Sequence, residues 1–84
     1  MAKSTNEKAL EIIELIGTVA DIPKEKIGLK SQLVNDLELD SLAIFSLISA
    51  LEDKYHIRIE ETDFNRLLAV EDVVQYLDEK KAWN

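Results

Sequence analysis

Asp36-Leu37-Glu38-Leu39-Asp40-Ser41-Leu42 closes one kind of pattern and opens another. Residues 23–39 before its end carry no sustained period. After it, Ile44, Leu47, Ile48, Leu51 and Tyr55 recur on one stripe at helical spacing. The spacing predicts a helix from Ser41 to about Tyr55 with Asp40 as its N-cap, because an aspartate there accepts hydrogen bonds from the free N–H groups of the first turn. Ser41 then stands at the positive end of the helix dipole with its hydroxyl near solvent, and such an end favours an attached or bound anion. A serine so placed suits a phosphodiester. It is badly placed as a self-activated nucleophile, since no histidine or lysine base lies near it in sequence.

Working outward, the predicted fold is all-α: a four-helix bundle of three longer helices and one short, with a long loop between the first and second. The first helix runs from about Thr5 to Ala20, where Ser4 and Glu7 have the form of a capping box and Leu10, Ile13 and Ile16 lead to Ala20 with Ile12 and Val19 alongside. Gly17 inside that pattern costs about 1 kcal/mol against alanine and suggests close packing. Pro23 stops the helix. In the loop 23–39, Ile27, Leu29, Leu33, Val34 and Leu37 read as anchors to the core. A short third helix is expected over 62–67, and a last one over 70–80 that buries Val70, Val73, Val74 and Leu77 from a ragged start, Ala69 being a poor N-cap. Ile57-Arg58-Ile59-Glu60 alternates for too few residues to predict a strand.

The chain has 84 residues, which suits a single domain over 1–84. Cysteine is absent, so disulfides, thiolate nucleophiles and cysteine-based metal sites are excluded. The start is polar and no apolar run approaches the length of a membrane span, so a cytoplasmic protein is expected. The net charge of −7 is concentrated in the middle: residues 1–30 sum to zero, 31–65 to −6 and 66–84 to −1. Such a field repels nucleic acid and anionic membranes. A helix-turn-helix DNA binder is disfavoured on the same ground. The alternating acids Asp36, Glu38 and Asp40 look like the start of a calcium loop, but the later ligands and the glycine do not follow in register, and no metal site is expected. The single histidine, His56, reads as a solvated residue near a helix end, and Trp83 as an edge or tail residue. With one histidine and no base paired to the serine, an enzyme is not expected.

The chain resembles the acyl carrier protein family. Asp40-Ser41-Leu42 matches the family's attachment motif, Leu33-Val34-Asn35-Asp36-Leu37 its approach, the stretch from Leu51-Glu52-Asp53 through Ile57-Arg58-Ile59 its helix exit, and Val70-Glu71-Asp72-Val73-Val74-Gln75-Tyr76-Leu77 its last helix. The likeness covers about residues 10–77. It implies a carrier with 4'-phosphopantetheine held covalently on Ser41, flanked by Asp40 and Leu42; a monomer is expected because one core accounts for most of the apolar residues. A phosphopantetheinyl transferase would install the arm from coenzyme A with magnesium, Asp40 contributing to that step. Acyl-transferring and acyl-elongating enzymes of fatty acid, polyketide or specialised lipid pathways would be its partners. The resemblance also implies partner contacts at Leu42, Ala43, Ser46, Glu52 and Asp53, and an acyl pocket drawn from Phe45, Ile48, Leu51, Ile59 and Leu67. A peptidyl or aminoacyl carrier, and a non-covalent helical adaptor of the same shape, stay open as alternatives.

Three departures from the family's pattern bear on function. Ala43 and Ser46 stand where fatty-acid-synthesis carriers bear acids, and no residue from 41 to 51 is charged, so electrostatic steering by basic partners is expected to be weaker. This points to a specialised carrier with a narrower partner set. Glu38 stands where the family has glycine, so a different turn into the motif is expected. Phe45 replaces a smaller aliphatic residue, which would narrow or cover the mouth of an acyl cavity.

Overall fold

A computed structural model describes residues 4–82. Its helices are α1 (Thr5–Ala20), α2 (Ser41–Tyr55) and α3 (Val70–Glu79), with 3₁₀ segments at Lys24–Lys26 and Glu61–Arg66. The second 3₁₀ segment is the short third helix of the bundle; the first adds a turn that the sequence pattern did not indicate. No strand occurs among the described residues, only an isolated antiparallel bridge between Gln32 and Ala69. Trp83 lies outside the described residues.

The helix ends follow local chemistry. Ser4 Oγ accepts from the Glu7 amide at 3.2 Å, and Glu7 Oε1 accepts from the Ser4 amide at 3.3 Å, which completes the capping box of α1. Asp21 takes the left-handed conformation (φ 56°) that ends α1. Gly17 is required by close approach, because a Cβ there would stand 2.9 Å from the Ile22 carbonyl oxygen. The start of α3 is not ragged. Alanine offers no side-chain acceptor, but Asp72 Oδ2 accepts from the Leu68 and Ala69 amides at 3.2 and 3.0 Å and caps the helix from within.

α1 packs against both α2 and α3. The buried core joins Ile12 and Ile16 of α1, Leu47, Ile48 and Leu51 of α2, and Val70, Val73, Val74, Tyr76 and Leu77 of α3. Ile27, Leu33 and Leu39 from the loop, with Ile59 and Leu67, complete it. Two expectations need correction. Leu10 is 56% exposed, because the phase of α1 turns the small Ala9 inward with Ile12 and Ile16. Val34 is 60% exposed and does not anchor the loop, whereas Leu39, the last residue before Asp40, is buried. Polar links reinforce the packing. Tyr55 donates to Glu11 Oε1 at 2.9 Å, tying the end of α2 to α1. Lys8 and Asp78 pair at 2.6 Å between α1 and α3.

The loop is stitched to the start of α3. Leu33 N donates to Leu68 O at 2.8 Å, Val70 N to Ser31 O at 3.1 Å and Glu71 N to Leu29 O at 2.9 Å. Leu39 N donates to Leu33 O at 3.0 Å and closes its last turn. That turn passes through Glu38 at φ 57°, so glutamate occupies the left-handed region that glycine adopts freely, and the loop keeps a glycine-type turn. A side chain in this conformation costs about 1–2 kcal/mol, part of which glycine would forfeit again through its freer unfolded chain. Glu38→Gly is therefore expected to stabilise the fold by about 0.5–1 kcal/mol in urea unfolding. Gly17→Ala is expected to destabilise it despite a gain of about 1 kcal/mol in helix propensity, because the Ile22 carbonyl is backbone and cannot swing away.

Candidate functional site

Leu39 is buried and Asp40 is exposed, so the chain leaves the core at this point and begins α2 at the surface. Asp40 has extended backbone (φ −87°, ψ −179°), and its Oδ1 accepts from the Ala43 amide at 2.8 Å. This is the N-cap geometry the sequence calls for. The Ser41 and Leu42 amides belong to the first turn, where a helix offers no internal acceptors. Ser41 is exposed, and its side chain stands at the positive end of α2.

The acids before Ser41 are not a cluster aimed at one point. Asp36 Oδ2 accepts from the Gln32 amide at 2.8 Å and holds the loop, Asp40 caps α2, and Glu38 is exposed. His56 sits at the other end of α2, in the left-handed C-cap position. Fifteen residues of helix rise put it about 22 Å from Ser41 along the axis.

Beside Ser41 lies an open cleft of about 480 Å³, lined by Val34, Leu39, Asp40, Ser41, Ile44, Phe45 and Phe64. Its walls are apolar apart from the two motif residues, the make-up of a small-ligand site. The Phe45 and Phe64 rings meet edge to face, with centroids 6.0 Å apart and planes at 65°. Of the pocket residues expected from sequence, Phe45 lines this cleft, while Ile48, Leu51, Ile59 and Leu67 are buried in the core. Sequence reasoning missed Phe64 and the lining role of Val34. Both lie in segments too short or too irregular for a period to reveal a face.

Phe64 is held by its neighbours. Tyr76, 1% exposed, donates to Asp63 Oδ2 at 2.8 Å. Arg66 bonds both carboxylate oxygens of Glu79 through Nη2, at 2.7 and 2.6 Å, and its guanidinium lies 5.3 Å from the Tyr76 ring centre. The 3₁₀ helix is thus fixed to α3 on either side of Phe64.

The residues expected to meet partners fall into two groups. Leu42 is 75% exposed, Ser46 is exposed and Ala43 is half-buried, all in the first half of α2. Glu52 and Asp53 lie about 16 Å from Leu42 along the axis and about 10 Å from Ser46. Glu52 is half-buried, and its Oε2 accepts from the Ile59 amide at 2.9 Å, so part of its role is to close the chain after α2.

A family model described as the phosphopantetheine attachment site matches residues 11–77. The chain belongs to that family. It is also similar to curated relatives along nearly its whole length. The acyl carrier protein of Campylobacter jejuni strain RM1221 is 38% identical over 81 residues, 96% of this chain and 99% of the relative. That of C. jejuni strain 81-176 is 37% identical over the same span. A more distant acyl carrier protein, from Beutenbergia cavernae, is 27% identical over 77 residues. The cofactor of this phosphopantetheine-carrier family is 4'-phosphopantetheine. The site fits such a group: an exposed hydroxyl stands at a helix N-terminus, which favours the phosphate, and solvent beside it leaves the arm room.

Two tyrosines bind the frame of this site in their neutral form. Burial first, then the hydrogen bond to Asp63, pushes the Tyr76 phenol up to about 12. Burial, with Glu11 adding to it, raises Tyr55 as well. An unfolded tyrosine ionises near pH 10. The folded pKa is the higher one, so this stability is fully present below about pH 10 and is lost as pH rises toward 12. Urea unfolding is expected to show that alkaline decline, and Tyr76→Phe to make it shallower while costing about 1–2 kcal/mol at neutral pH.

Proposed function

We propose that this chain is an acyl carrier protein in which Ser41 bears the phosphopantetheine arm and presents acyl thioesters to partner enzymes. The observation that carries this reading is the position of Ser41: the first residue of α2, exposed, capped by Asp40 and bordering the cleft, within the matched residues 11–77. The names of the relatives supply the acyl cargo.

In loading, Ser41 Oγ forms a bond to the pyrophosphate phosphorus of coenzyme A that bears the pantetheine, its proton passes to a base of the transferase, and adenosine 3',5'-bisphosphate leaves. Asp40 keeps the first turn of α2 in place for that approach and puts a carboxylate next to the serine, where a metal-bound transferase can use it. Once attached, the arm supplies a thiol that holds the acyl group as a thioester. The anionic phosphodiester then faces the free amides and dipole of α2, which offset the charge of Asp40.

The chain itself carries out no acyl chemistry on this reading, because its single histidine lies at the far end of α2 from Ser41. Its partners are the phosphopantetheinyl transferase and acyl-handling enzymes. The neutral first half of α2, with Leu42 outermost, is the surface they read, and Glu52 and Asp53 are a secondary one. We place the whole chain in the cytoplasm as one monomeric domain; no helix among the described residues is long and apolar enough to cross a membrane.

Intact mass after incubation with coenzyme A, magnesium and a broad-specificity phosphopantetheinyl transferase is expected to rise by one phosphopantetheine, and Ser41→Ala to show no gain. An unmodified wild-type chain, beside a control carrier that is modified, would favour the non-covalent adaptor. Restoring charge with Ala43→Glu and Ser46→Glu is expected to raise the association rate with a basic ketoacyl synthase by about tenfold at low salt. Equal rates for both forms would show that steering is not what the neutral helix gives up.

A further inference from the structure

Ser41 and Phe45 are four residues apart on α2 and share a face. One helical turn, about 6 Å, separates them along the axis. The cleft between them is therefore short. The buried Leu39 and the half-buried Ile44 line it, and so do the Phe45 and Phe64 rings, which meet in edge-to-face contact one turn of α2 from Ser41. Further along α2 than Phe45, the aliphatic side chains of Leu47, Ile48 and Leu51 are packed into the core at 7% exposure or less.

The two rings differ in freedom. Phe64 is half-buried and lies between Asp63, bonded to the Tyr76 hydroxyl, and Arg66, paired to Glu79. Phe45 is 54% exposed and borders solvent. An arm fixed at Ser41 holds its own acyl end at an effective concentration on the order of millimolar, enough for a weak apolar cleft to capture it when the flexible arm folds back.

We infer that the Phe45–Phe64 pair is the chain-length determinant of this carrier: a short acyl group lies in the cleft against the two rings, and the rings bar a longer one from the core. The inference rests on Ser41 bearing the arm. Up to about hexanoyl, each added methylene leaves water for the cleft. Past that length, further methylenes project into solvent and add nothing. The carrier then keeps short thioesters partly covered and leaves long ones exposed to partners or to hydrolysis.

The test loads wild type, Phe45→Ala and Phe64→Ala with arms bearing butanoyl, hexanoyl, octanoyl and dodecanoyl groups. Intact mass confirms each loading, and two readouts follow: the melting temperature, and the NMR shifts of the Leu47, Ile48 and Leu51 methyls. The Tm of the wild type is expected to rise by at most about 3–6 °C per methylene up to hexanoyl and then to level off, the core methyls staying put. Phe45→Ala is expected to keep rising through octanoyl and dodecanoyl, with the core methyls shifting as the chain enters. Phe45 is exposed, so that variant retains the fold, and Phe45→Leu, which narrows the opening less than phenylalanine, is expected to fall between. A wild-type Tm that climbs steadily to dodecanoyl, or the same plateau in Phe45→Ala, overturns the inference. A chain that takes up no arm at all shows its failure in the mass step, and overturns the Ser41 reading beneath it.

Discussion

The geometry at Ser41 depends on the backbone hydrogen bonds that stitch the loop to the start of α3. The α2 N-terminus is exposed, so nothing in its own contacts with solvent holds it in place. What holds it is the chain before it: Leu33 N to Leu68 O, Val70 N to Ser31 O and Glu71 N to Leu29 O bind the loop to α3, and Leu39 N to Leu33 O carries that restraint to the residue before Asp40. The apolar anchors Leu33 and Leu39 fill the space beneath those bonds. A loop of this length would otherwise lose much of its advantage to chain entropy. The stitching lets an exposed serine keep a defined position on a small protein, as the attachment role proposed for it requires.

The same restraint places the left-handed residue. Between the Leu37 amide on Gln32 O and the Leu39 amide on Leu33 O the chain must turn, and Glu38 takes φ 57° to do it. Its charge has a consequence for the site. Asp36, Glu38 and Asp40 surround the approach to Ser41 with negative charge, while the helix that follows is neutral through Leu51. The positive end of the α2 dipole is the main local term in favour of a phosphodiester there. The carboxylates oppose it, and the opposition is moderated because each acid is exposed and screened by water and salt.

Much of this was legible from residues alone, for identifiable reasons. The bounds of α1 and α2 follow from Ser4 with Glu7, from Pro23, and from Asp40 ahead of the stripe of Ile44, Leu47 and Leu51, where cap and period agree. Ser41 followed from the same cap. Where one signal stood alone, the reading slipped. Leu10 reads as a core residue because a leucine outweighs an alanine in any hydropathy pattern, yet the phase set by Ile12 and Ile16 selects Ala9. Val34 lies in a loop with no period to assign it a face. The turn at Glu38 was expected to change with the loss of glycine, but tertiary bonds on both sides impose the conformation at a local cost. Phe64 belongs to a six-residue 3₁₀ segment, too short for a pattern, and its meaning comes only from the ring it meets across the cleft.

That contact connects the frame to the function. Tyr76 is a core residue of α3 whose hydroxyl reaches out to Asp63, and Arg66 returns the restraint through Glu79. The result is a short segment, Glu61–Arg66, with no buried residue of its own, linked to α3 by these side chains and followed by the buried Leu67. α2 is held from the other side by the stitched loop and by Tyr55 on Glu11. The cleft at Ser41 is therefore a gap between the start of α2 and the 3₁₀ segment, both tied to α3, and Phe45 and Phe64 are the large side chains that meet across it. In a chain with this little core to spare, changing those two side chains alters what the cleft admits at far smaller cost to the fold than opening the core itself.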